Sequence, residues 1–90
     1  TENGQFVNVN AKEAEAYARR GGLAVVSWQN PDPEYSGHIS MLTGGYANNS
    51  IATGNLNTFQ AGGKFGAMPV SKGFGKDKIP DLRFYIWRDN

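Results

Sequence analysis

Ninety residues with 39% hydrophobic content and twelve glycines suit one small, loop-rich globular domain better than a helical bundle or a disordered tail. Nine basic and eight acidic residues, interspersed, leave a formal charge of +1, with no basic stripe for nucleic acid and no cationic amphipathic helix for a membrane surface. Zero cysteines remove disulfide and thiolate chemistry from this chain, and one histidine among scattered carboxylates gives no metal-ligand spacing, so neither metal nor cofactor is expected.

No apolar run reaches the roughly 18 residues of a membrane span, and no signal-peptide pattern opens the chain. The sequence begins at Thr1 rather than Met, which suggests a processed product or a fragment.

The first clear element is "VNAKEAEAYARRGG", residues 9–22. Asn10 is a good N-cap, and Glu13 completes the capping-box spacing. Ala11, Ala14 and Ala18 recur at helical spacing with Tyr17 beside them, Glu15 precedes Arg19 by four, and Gly21 supplies a left-handed C-terminal position. A stripe of such small residues predicts close packing on a flat partner, a sheet.

"LAVVSW" (23–28) reads as a nearly continuous apolar strand, and "QNPDPEYSG" (29–37) breaks it as a surface loop. "HISML" (38–42) is the next strand, its pleat placing His38, Ser40 and Leu42 on one face and Ile39 and Met41 on the other. The two strands should pair as an antiparallel hairpin. "TGGYANNS" (43–50) reads as a turn, and "IATGNLNTFQAGG" (51–63) as one strand interrupted at Gly54. Residues 62–76 carry five glycines and read as an irregular loop. "DLRFYIWR" (81–88) alternates Leu82, Phe84 and Ile86 against Arg83, Tyr85 and Trp87, the strongest strand pattern in the chain. The expected fold is α+β, a single domain with one N-terminal helix packed on an antiparallel sheet of about four strands.

His38 is the only side chain whose ordinary titration lies near neutrality. Its everyday role would be a half-exposed strand histidine with a satisfied hydrogen bond. Its chemical role would be a general base, which needs a nucleophile within reach and a polar group to orient the ring. The hydroxyls available are Ser27, Ser36, Ser40, Thr43, Ser50 and Ser71, and none lies in a G-x-S-x-G frame. No complete dyad is contained in the chain. Asn55, Asn57 and Gln60 are candidate orienters; strand alternation places Asn57 and Gln60 on opposite faces, so both cannot meet His38 without a bulge. The glycine-rich stretch matches neither the P-loop nor the dinucleotide spacing. Trp28, Tyr35, Tyr46 and Trp87 could line a peptide or glycan groove, yet aromatics on alternating strands are more often core or sheet cover; Lys64, Lys72, Lys76 and Lys78 could meet an anion, and a solvated loop accounts for them equally well.

The order of these features carries a resemblance. A capped helix ending in Arg-Gly-Gly, the strand "LAVVSW", a proline loop, "SGHISML", a polar strand running into "QAGG" and a closing "RFYIW" together resemble the C-terminal half of the papain-like cell-wall cysteine hydrolases. These are the NlpC and CHAP group, which includes the amidase effectors that bacteria inject into rivals through type VI secretion. The resemblance runs from Ala11 to Trp87. It implies half of a papain-like fold, with His38 as general base and a polar residue on the following strand holding the ring, Asn57 as first choice and Gln60 as second. It also implies a nucleophilic cysteine on a preceding N-terminal half, as a separate chain or a removed segment, since this sequence has none. The implied activity is amide hydrolysis in bacterial peptidoglycan peptides, secreted or periplasmic and antibacterial, with an immunity protein as a further partner and the isolated chain inert. A different class of function stays open: a non-catalytic α+β binding module contacting a protein or glycan through an aromatic surface. An inhibitor or immunity-type protein is a third.

Overall fold

The computed structural model describes residues 4–32, 34, 37–49, 51–60 and 66–89. It is an α+β domain built on one antiparallel sheet of six strands, two more than expected, in the order β1-β6-β2-β3-β4-β5. The strands are β1 (Gln5–Val9), β2 (Ala24–Trp28), β3 (His38–Tyr46), β4 (Leu56–Gln60), β5 (Gly66–Pro69) and β6 (Arg83–Arg88). Helix α1 (Ala11–Arg19) follows β1, and the one-turn helix α2 (Val70–Phe74) follows β5.

Local chemistry sets the ends of α1. The Asn10 side chain accepts the Glu13 backbone N–H at 2.8 Å, and Gly21 takes φ +92° past the C-cap Arg20. Gly21 and Gly22 then donate back to the carbonyls of Ala18 and Tyr17, both at 2.9 Å, which is a Schellman closure. Helix α1 is not the first element, because "QFVNV" forms β1 and pairs with β6 in the register Val7 with Ile86 and Val9 with Phe84.

The expected hairpin of β2 and β3 forms, with Trp28 opposite His38 and Val26 opposite Ser40. Three sequence expectations between residues 43 and 76 are corrected. Residues 43–46 belong to β3 rather than to a turn, and the bulge falls there, between Leu42 and Tyr46, where Gly44 and Gly45 adopt φ +93° and +80°. No strand runs through Gly54; Thr53–Asn55 is a 3-10 turn ahead of β4. The glycine-rich stretch supplies an edge strand, a helix and the 3-10 segment Lys76–Asp81, while residues 61–65 lie outside the described part.

Residues opposed across an antiparallel pair share a face. Val26, Leu42, Leu56, Phe84 and Ile86 therefore point the same way, and they close a core with Ala14 and Ala18 of α1 and Val70 and Phe74 of α2. Both helices lie on this one face. Small residues let α1 come close: a Cβ added at Gly44 would stand 3.0 Å from the Arg19 Cα. The opposite face is open. Ile39, Met41 and Phe59 project from it and are 62%, 49% and 44% exposed.

Candidate functional site

His38 is the first residue of β3, and the residue before it explains its position. A Cβ on Gly37 would fall 2.2 Å from the carbonyl oxygen of Trp28, a fixed backbone atom. Only glycine allows the chain to enter β3 this close to the end of β2, so the "GH" pair has a steric reason. From there the pleat puts the imidazole on the helix-covered face beside Trp28, half-buried.

Two groups hold the ring. The His38 Nε2 lies 2.6 Å from Gln60 Oε1. An amide oxygen can only accept, so Nε2 is the donor in this contact, and in the neutral ring Nδ1 is then the nitrogen with the lone pair. The Phe74 ring lies against the imidazole with centroids 4.7 Å apart and planes inclined at 58°. Gln60 is itself 2% exposed, at the end of β4, where the register Leu42 with Thr58 turns Thr58 and Gln60 toward the covered face.

That register decides between the two expected orienters. Asn57 does not reach the imidazole: it projects from the opposite face, and its Nδ2 donates to the Gly44 carbonyl at 3.2 Å, securing the β3 bulge. Its first-choice place as orienter is therefore corrected, because the strand parity that brings Gln60 in turns Asn57 out. Asn55 lies in the turn before β4.

Among the described residues no hydroxyl bonds the imidazole. The Ser40 hydroxyl is buried and donates to the Phe59 carbonyl at 3.0 Å. Ser27 and Thr43 lie on the open side of β2 and β3 by alternation, and Ser71 lies in α2. Ser36 and Ser50 fall outside the described residues, as do Tyr35 and Lys64.

The other aromatic candidates do not share a surface. Trp28 lies beside His38, with the Lys78 ammonium 4.8 Å above its ring. Trp87 stands on the open face, edge-on to Phe6 with centroids 5.0 Å apart. Tyr46 sits by the buried Glu15, which accepts the Gly45 N–H at 2.9 Å and pairs with Arg19 at 3.3 Å. Burial pushes the Tyr46 phenol above its ordinary 10.0, the Glu15 charge adds to the rise, and Arg19 offsets part of it. Lys72 and Lys76 are exposed. Beyond Trp28 a shallow cleft of about 510 Å³ is lined by Gln29, Asn30, Pro31, Pro80, Asp81, Leu82 and Arg83.

Phe74 and Gly73 were not legible as site residues, since "KGFG" reads as loop and nothing local ties it to a histidine 36 positions earlier. The arrangement as a whole is an imidazole held by a buried amide oxygen and an aromatic ring, with no hydroxyl bonded to it among the described residues. Comparison with known protein families, with curated proteins and with solved structures finds no match to this chain.

Proposed function

We propose that this chain carries the general base of a cysteine amidase or peptidase, with the thiol supplied by a segment outside these ninety residues. The observation that supports the reading is the 2.6 Å contact of His38 Nε2 with a buried amide oxygen. Such a contact also satisfies the ring of a structural histidine; in a base it further leaves the other nitrogen's lone pair to meet the incoming proton.

In the proposed reaction His38 Nδ1 takes the thiol proton as sulfur attacks the amide carbonyl. The imidazolium then returns that proton to the leaving amine, and the acyl group stays on sulfur. Water, deprotonated by the same Nδ1, releases the acid. Throughout, Gln60 Oε1 accepts from Nε2–H, a bond that strengthens while the ring is positive. The substrate class, peptide amides of bacterial peptidoglycan, and a secreted or periplasmic antibacterial role come from the family resemblance.

The test is an intact mass of the native protein with a peptidoglycan digestion assay. A cysteine-bearing polypeptide, joined or associated, should be present, the ninety residues alone should be inert, and His38→Ala should cut activity by about 10²–10⁴-fold. Full activity of the His38→Ala protein would remove the proposal.

A second reading is supported by the open sheet face. Ile39, Met41 and Phe59 stand exposed together on it, with Met41 directly opposite Phe59. In that reading the domain binds a protein through this patch, and Trp28 and Tyr46, on the helix-covered face, are not part of it.

A further inference from the structure

We infer that α2 is the positioning element of the histidine site, with Gly73 and Phe74 as positioning residues for His38. Gly73 has no conformational reason to be glycine. It lies inside α2 and is not among the glycines with positive φ. Glycine at an ordinary helical position disfavours the helix relative to alanine. Its reason is space. A Cβ there would stand 2.7 Å from Gln60 Oε1, the atom that accepts from His38, and 3.7 Å from the Met68 sulfur.

The amide is the far end of a flexible side chain, but one enclosed by its neighbours. Gln60 is 2% exposed, and its oxygen is already at hydrogen-bonding distance from the imidazole. An alanine methyl at position 73 moves Oε1 off Nε2. The adjacent residue completes the clamp: the Phe74 ring, 6% exposed, lies against the imidazole and opposes the half-turn that would exchange Nδ1 with Nε2. A single helical turn thus supplies an absence at one residue and a ring at the next, and together they fix which nitrogen is left as the acceptor.

The catalytic consequence rests on the hydrolase proposal; the geometric claim does not, and the test separates them. NMR of the intact chain with ¹⁵N-labelled histidine reads the exchange of the His38 Nε2 proton with water. Gly73→Ala should accelerate this exchange by about tenfold, the loss of one neutral hydrogen bond. Gln60→Ala should do the same, and the double variant should add nothing further. A folded Gly73→Ala chain with wild-type exchange overturns the inference. Should Gly73→Ala fail to fold, Phe74→Leu, which removes the ring and keeps the bulk, decides: faster exchange or a mixed tautomer supports the clamp, and an unchanged Nε2–H signal overturns it. In the thiol-complemented enzyme Gly73→Ala should lower kcat and leave KM. If no hydrolysis is found at all, the exchange result still stands and only the hydrolase reading falls.

Discussion

His38 and Gln60, on neighbouring strands and 22 residues apart, meet through Nε2 and Oε1 at 2.6 Å, while the amide of Asn57 points away to the Gly44 carbonyl. Within the hydrolase reading this predicts a sharp contrast. Gln60→Ala should reduce kcat by about tenfold, the worth of one hydrogen bond holding the base. Asn57→Ala should leave kcat unaltered and weaken only the β3 bulge. Equal losses in the two variants, measured at saturating substrate, would mean that Gln60 has no special part in orienting the base.

Gly37→Ala should destabilise the chain by about 1–3 kcal/mol, the usual range for forcing extra atoms into a packed site. The added methyl meets the Trp28 carbonyl, which cannot rotate aside as a side chain would. Urea unfolding measures this. An unchanged midpoint would show that β3 can enter the sheet by another path.

Glu15 tests which of its two contacts matters. Its side chain is buried, whereas that of its partner Arg19 is 67% exposed, so solvent screens the ion pair and it contributes at most about 1 kcal/mol. The Gly45 N–H is half-buried and has the Glu15 carboxylate as its acceptor. Glu15→Ala should therefore cost about 1–3 kcal/mol. Glu15→Gln, which keeps an acceptor oxygen, should recover most of that. Equal losses in both variants would assign the stability to the charge instead.

The raised Tyr46 phenol has a consequence at alkaline pH. The folded chain holds this proton to higher pH than the unfolded chain does, so the unfolded state loses it first as pH passes 10.0. The stability linked to Tyr46 is whole below that pH and is lost as pH rises through the folded value. Unfolding midpoints of wild type and Tyr46→Phe should keep a constant gap up to that point, with wild type losing ground beyond it. A gap that stays constant throughout would contradict the shift.

On the open face, Met41→Lys should shift stability by no more than about 0.5 kcal/mol, since the side chain is half exposed. If the binding reading is right, the same substitution abolishes association with the partner while His38→Ala leaves it intact. Titration calorimetry with a purified partner separates the two; the reverse pattern favours the hydrolase.

Features with local causes are readable from the residues alone. The cap at Asn10, the glycine closure at Gly21 and the alternation of β6 are each decided within a few residues, and the fold class follows from them. The "GH" entry to β3 was legible as a motif, but its reason, the Trp28 carbonyl, is 9 positions away. The remaining features depend on long-range packing. Strand alternation showed that Asn57 and Gln60 face opposite ways; which of them faces the imidazole depends on the register between β3 and β4, a pairing across residues 41–59. Edge strand β5 and helix α2 stayed hidden for the same reason. Both are short, with little intrinsic preference: β5 is held by its pairing with β4, and α2 by Val70 and Phe74, buried in a core assembled from the whole chain.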